Sequence, residues 1–175
     1  MSQPTERTGL VTIHGNPLTL QGTPVKVGDK APDFTLLTND LAPATLADYK
    51  GKALVLSAVP SLDTPTCDME TRRFNTEAAK LGENVKILTI SADLPFAQKR
   101  WCGAAGIDKV QTLSDHKAVE FGLKYGVLIK ELRLLARAVF VVDPAGTVVY
   151  AQIVPEVASE PDYDAALAAL AKVAP

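Results

Sequence analysis

The chain has 175 residues, a formal net charge of -2 and 47% hydrophobic residues, which suits one domain with a substantial core rather than two. No basic cluster marks it for nucleic acid or anionic membrane, and no apolar run approaches the ~20 residues that cross a bilayer. The first seven residues lack a basic start followed by an apolar segment, so they do not read as a secretory signal; a cytoplasmic protein is expected, whose cysteines are catalytic, redox-sensing or buried rather than structurally bridged.

A single domain spanning residues 1–175 is expected, with about the first ten as a flexible tail. The alternating runs on either side of Gly15-Asn16-Pro17 predict a hairpin. Phe34 to Leu37 suggests a short strand, and Thr45 to Lys50 one helical turn. The apolar run Ala53 to Val59 predicts a buried strand, and a helical pattern follows from about Asp68 to Leu81. Val85 to Ser91 predicts a second buried strand. Ser91-Ala92-Asp93-Leu94-Pro95 has the form of a helix entry, with Phe96 to Gly103 continuing it and Gly103 and Gly106 marking its end. Val110 to Leu113 is a short strand and Lys117 to Lys124 a short helix; residues 126–136 have no clear pattern. Ala138 to Val142 and Thr147 to Val154 form a hairpin across Asp143-Pro144-Ala145-Gly146, and the Ala/Leu spacing from Asp162 to Val173 predicts an amphipathic helix. Strand and helix alternate and a hairpin and helix follow, so an α/β fold with a mixed sheet covered on both faces is expected. Its β-α-β units should cross over right-handed.

The most informative stretch is Pro60-Ser61-Leu62-Asp63-Thr64-Pro65-Thr66-Cys67. Pro65 suits the first position of a helix and Thr64 its N-cap. Cys67 then lies in the first turn, where free N–H groups and the positive end of the helix dipole favour a thiolate. It also lies at the carboxyl end of a strand, where sites form in open sheets.

The remaining residues narrow the chemistry. The chain has only two histidines, His14 and His116; His14 lies in the predicted hairpin, His116 reads as a surface turn residue and nothing places it near Cys67, so a Cys–His hydrolase has little support. Two separated cysteines with no histidine at ligand spacing do not make a zinc site. There is no CxxC pair and no phosphate-binding glycine loop. What remains is an activated thiolate with a distant second thiol, and its natural chemistry is oxidation. A thiolate that attacks a peroxide becomes a sulfenic acid, which a second thiol can convert to a disulfide. Cys102 is a candidate for that thiol; its other reading is a small apolar side chain packed beside Trp101.

Pro60, Thr64 and Cys67 reproduce the PxxxTxxC motif of peroxiredoxins. The segments Ser61 to Cys67, Ser91 to Gln98, Trp101-Cys102-Gly103, Ala136 to Asp143 and Glu160 to Tyr163 resemble the thiol peroxidase branch, an atypical two-cysteine type, and the likeness runs from about His14 to Ala171. It implies a thioredoxin-like fold with an N-terminal β-hairpin, a homodimer, and cofactor-free reduction of hydrogen peroxide and organic hydroperoxides with thioredoxin as reductant. By position, Cys67 matches the peroxidatic cysteine, Cys102 the resolving cysteine that bridges to it within the chain, and Arg137 the active-site arginine. Thr64 matches the threonine whose hydroxyl contacts sulfur and peroxide, and Pro60 the proline that shields the pocket. Lys130-Glu131-Leu132-Arg133 departs from the glycine-containing loop of relatives, which bears on the pocket rim; Thr66 stands where valine is common.

These readings predict an ionised Cys67 sulfur facing a small opening, with a guanidinium and a hydroxyl beside it. Cysteines on two helices are also not expected within the ~7 Å Cα separation that a disulfide tolerates, so local unravelling should precede the bond. A thioredoxin-fold binding module and a one-cysteine peroxidase resolved by an external thiol are the alternative readings.

Overall fold

The computed structural model describes residues 2–174. The chain opens with β1 (Glu6–Ile13) and β2 (Asn16–Gln21), antiparallel, with Ile13 opposite Asn16. The turn is therefore His14-Gly15, one residue earlier than the sequence suggests. Its φ values of 49° and 80° match the twist of the flanking strands in a two-residue loop. Because β1 begins at Glu6, the ordered chain reaches into the stretch expected to be a tail. Arg7 ties it down, donating to the carbonyl of Gly126.

Next come β3 (Thr35–Leu37), β4 (Pro43–Thr45) and a 3-10 turn over Leu46–Tyr49, entered where Asp48 accepts from the Thr45 amide at 2.8 Å. The central unit is β5 (Ala53–Ala58), α1 (Pro65–Ala78), β6 (Val85–Ser91), α2 (Pro95–Ala105) and β7 (Gln111–Ser114). Gly106, with φ 69°, caps α2, whereas Gly103 lies inside the helix. The short helix α3 (Glu120–Lys124) follows.

The unpatterned segment forms two very short strands, β8 (Leu128–Ile129) and β9 (Leu134–Leu135). They are too short for alternation to show and exist because β8 pairs with β2, giving a small sheet in the order β1-β2-β8-β9. The chain ends in the hairpin β10 (Ala138–Val142) and β11 (Val148–Ile153) and in α4 (Tyr163–Val173).

The main sheet has seven strands in the order β11-β10-β5-β6-β7-β3-β4. β5, β6 and β7 are parallel and the rest antiparallel. Two right-handed crossovers progressing in one direction put α1 and α2 on the same face. Every residue of β5 is buried, as expected for a strand covered on both sides. Ala53 and Val55 pack with Phe74 of α1 and with Tyr163, Ala166 and Leu170 of α4. Leu54, Leu56 and Ala58 face the other core, with Phe121 of α3 and Leu20 of the hairpin. Phe74 is fully buried and meets Tyr163 edge to face at 5.5 Å; losing a ring of this kind costs about 3–5 kcal/mol, so it fixes α1, and the cysteine at its start, against the sheet. Among the described residues no helix is long and apolar enough to cross a membrane.

Candidate active site

Cys67 occupies the third position of α1. Thr64 is the N-cap: its hydroxyl accepts from the Cys67 amide at 3.3 Å and donates to the Ser61 carbonyl at 3.1 Å. Such a cap is worth about 1 kcal/mol. The hydroxyl expected to touch the sulfur is thus directed at backbone, and it fixes the first turn. Pro60, buried at the end of β5, begins the loop that leads to it.

The loop is held from outside by Asp93, in the β6–α2 connection. Its carboxylate accepts from Ser61 Oγ at 2.7 Å and from the Leu62 amide at 2.8 Å. Ser91 Oγ donates to it at 2.7 Å and in turn accepts from Gln98 at 3.0 Å. The sequence shows Asp93 only as part of a helix entry; that it reaches across to the cysteine loop follows from β5 and β6 being neighbouring parallel strands.

Arg137 arrives at the sulfur from the start of β10 and is 1% exposed. Its Nη2 donates to Cys67 Sγ at 3.2 Å, its Nη1 to Glu70 Oε2 at 2.6 Å and its Nε to the Val157 carbonyl at 3.0 Å. Ser57 Oγ completes the set, donating to Glu70 Oε1 at 2.8 Å. Burial pushes the Glu70 carboxyl up, and the Arg137 guanidinium opposes that shift. For Arg137 itself, burial works against the charge, but the sulfur and Glu70 outweigh it and its pKa goes up. A guanidinium cannot lose its proton in a protein, so it stays a fixed cation with three directed bonds.

Glu70 is absent from the residues singled out in the sequence. The signal available was its position three residues after Cys67: Cys67, Glu70, Thr71 and Phe74 share the buried face of α1, and a carboxylate in such a stripe needs a buried cation as partner.

The expected opening above the sulfur is not there. Cys67 is 0% exposed, closed over by Val59, Leu62 and Trp101. A cavity of about 610 Å³ lies at the opposite end of β5, lined by Lys30, Tyr49, Leu54 and Pro144 among others.

Cys102 is half-buried on α2, and both cysteines are free thiols. Its sulfur lies 3.4 Å from Thr112 Oγ1. That hydroxyl gives its hydrogen to Asn39 at 2.9 Å, so the thiol is the donor to Thr112. It faces β7 and a cavity of about 310 Å³ lined by Asn39, Lys86 and Lys109, while the preceding Trp101 faces Cys67. Lys130–Arg133 does not join the residues around the sulfur: Glu131 accepts from the Thr19 amide at 2.9 Å and Lys130 pairs with Glu6 at 2.7 Å, which fastens the loop to the N-terminal hairpin. Among the described residues, no three His, Cys, Asp or Glu side chains gather as a metal site.

The family model described as Redoxin matches residues 26–167. A thiol peroxidase of Bacillus subtilis (strain 168) is 62% identical over 154 residues, covering 88% of this chain and 92% of the relative. A thiol peroxidase of Oceanobacillus iheyensis is 60% identical over 162 residues, 93% of this chain and 98% of the relative. Among solved structures, a peroxiredoxin-like protein from Aquifex aeolicus superposes with a TM-score of 0.88 at 42% identity, over 98% of this chain and 99% of that one. The α/β, thioredoxin-like architecture expected from the sequence is the one this match shares.

Proposed function

As the chain belongs to the Redoxin family, among the thiol peroxidases, we propose that it reduces hydrogen peroxide and organic hydroperoxides at Cys67. The observation that carries the proposal is the guanidinium N–H of Arg137 donating to the Cys67 sulfur at 3.2 Å, with Glu70 braced behind it at 2.6 Å.

Ionisation alone does not make a fast peroxidase. A cysteine near pKa 8.5 is already a few per cent thiolate at neutral pH, and lowering its pKa also lowers its nucleophilicity, with a slope of about 0.4–0.5. The larger gain comes from donors aimed where charge develops, commonly worth ~3–4 kcal/mol each. The thiolate of Cys67 attacks one peroxide oxygen. The O–O bond breaks, the other oxygen leaves as water or an alcohol after taking a proton, and the sulfur becomes a sulfenic acid. Arg137 pairs with the thiolate beforehand and with the departing oxygen afterwards. Thr64 holds the first turn through its hydroxyl, while Pro60 and the apolar side chains keep bulk water away. Because the sulfur is covered, a peroxide enters by a small displacement of this cover, which admits small hydroperoxides more readily than large ones.

Cys102 then displaces the oxygen from Cys67 and leaves an intramolecular disulfide, which a thioredoxin-type dithiol reduces by exchange. The redox equivalents reside in the two sulfurs, so no cofactor takes part. A homodimer in the cytoplasm is the setting this reading takes for the enzyme. The test is peroxide turnover coupled to thioredoxin and its reductase. Wild type should turn over, Cys67→Ser should not consume peroxide, and Cys102→Ser should lose turnover with thioredoxin after a single oxidation. Full turnover by Cys102→Ser would favour a one-cysteine enzyme resolved by an external thiol, and unchanged consumption by Cys67→Ser would overturn the proposal.

A further inference from the structure

The chain neighbours of the two cysteines are bonded to each other. Trp101, just before Cys102, donates from Nε1 to Oδ1 of Asp68, just after Cys67, at 3.1 Å. Arg72, one turn further along α1, donates from Nε to Oδ2 of Asp68 at 2.8 Å. Its Nη1 reaches the carbonyl of Ala105, the last residue of α2, at 3.2 Å, and its guanidinium carbon lies 6.0 Å from the centre of the Trp101 ring. Three side chains thus clasp the first turn of α1 to the final turns of α2. The clasp also fixes where Cys102 points. Successive residues on a helix are separated by about 100°, so a Trp101 turned toward Cys67 leaves Cys102 turned toward Thr112, where its sulfur is found 3.4 Å from the hydroxyl.

We propose that the Asp68-Trp101-Arg72 clasp is a positioning device that sets how fast Cys102 reaches oxidised Cys67; this rests on the peroxidase reading above. In that step the Cys102 sulfur bonds to the Cys67 sulfur and the S–O bond of the sulfenic acid breaks. The oxygen leaves as water, carrying its own hydrogen and the proton of the Cys102 thiol. Cys102 is oxidised and the Cys67 sulfur is reduced. The bond needs the two Cα atoms within ~7 Å, and the turn of α2 that swings Cys102 inward carries the indole N–H away from Asp68. Clasp opening therefore precedes bond formation. While the clasp is shut, the sulfenic acid waits for either Cys102 or a second peroxide, which converts it to a sulfinic acid. The same three side chains then govern the peroxide level at which the protein is inactivated. Asp68 and Arg72 lie outside the cover packed over the Cys67 sulfur, so the first oxidation of Cys67 is independent of them, whereas the Trp101 ring is part of that cover and only its N–H belongs to the clasp.

The experiment compares wild type with Trp101→Phe, which keeps the ring packing and loses the N–H, and with Arg72→Gln, a change at a half-exposed position on α1. Because Trp101 is the single tryptophan, the reaction is followed by acid quench, alkylation and mass spectrometry after mixing with hydrogen peroxide. Both variants should form the Cys67–Cys102 disulfide about fivefold faster, the factor that one net hydrogen bond represents. The peroxide concentration giving half-maximal sulfinic acid should rise by the same factor, with the rate of the first oxidation unchanged in Arg72→Gln. Disulfide formation at the wild-type rate or slower in both variants, with Cys67 oxidised normally, would overturn the clasp and leave the peroxidase reading standing. Failure of the wild-type Cys67 to oxidise would overturn both.

Discussion

Glu70 Oε2 lies 2.6 Å from Arg137 Nη1, and both side chains are within 1% of complete burial. The contact joins the helix that carries the reactive sulfur to the strand hairpin on the other side of β5, and it leaves Nη2 of the same guanidinium free to meet that sulfur. Removing one member of a buried pair leaves an uncompensated charge, which costs about 3–5 kcal/mol. Glu70→Gln is therefore expected to lower the unfolding free energy by about 3 kcal/mol in denaturant titration. It should also slow Cys67 oxidation by roughly tenfold to a hundredfold, as expected when a group that aims a reacting contact is lost. Stopped-flow competition for peroxide measures the second effect.

Asp93 holds the cysteine loop through Ser61 Oγ and the Leu62 amide. Asp93→Ala removes three hydrogen bonds to a charged acceptor, the third from Ser91 Oγ, and a loss of about 3 kcal/mol in stability is expected. The more specific signature is faster hydrogen exchange at the Leu62 amide, with exchange in β10 and β11 following only the global change.

Asp115, just after β7, accepts from the Phe121 and Gly122 amides at 3.1 and 2.9 Å. Burial pushes its carboxyl up from 3.8 to about 6. The folded protein then holds a proton between these two values that the unfolded chain has released, so stability from this group is present at low pH and lost as pH rises from about 4 to 6. At one pKa unit per 1.36 kcal/mol, the loss between pH 4 and 7 is about 2 kcal/mol. Asp115→Asn should remove that slope. Unfolding of wild type and variant at the two pH values checks it, and parallel curves would contradict it.

If Cys102 must turn inward to meet Cys67, the first turn of α1, the end of α2, or both lose helical hydrogen bonds in the oxidised protein. Closing a loop of this length is worth ~3–4 kcal/mol in the chain-entropy model, enough to offset modest melting. Amide exchange should be faster in these two segments after oxidation and unchanged in β5 and β6. Equal protection in reduced and oxidised protein would contradict the rearrangement.

The long elements were legible because each imposes a periodicity: β5 and β6 read as unbroken apolar runs, and α1 announced its start through Thr64 and Pro65. Cys67 and Thr64 were legible at that start, and Pro60 and Arg137 through the resemblance of the segments around them. Glu70 and Asp93 were not singled out, because their meaning lies in partners 67 and 31 residues away. β8 and β9 were illegible for a related reason, being two-residue strands made by pairing, β8 with β2 and β9 with β8, rather than by their own composition. The closed cover over the sulfur was also hidden, since it depends on which way Trp101 turns.

The most direct test is mass spectrometry of the reduced protein after one equivalent of hydrogen peroxide, with Cys102→Ser alongside. The expected result is a Cys67–Cys102 disulfide in wild type and a sulfenic acid on Cys67, trapped by dimedone, in the variant. Oxidation confined to Cys102, or a Cys67 that stays a thiol while peroxide disappears, would contradict the assignment of Cys67 as the atom that attacks the peroxide.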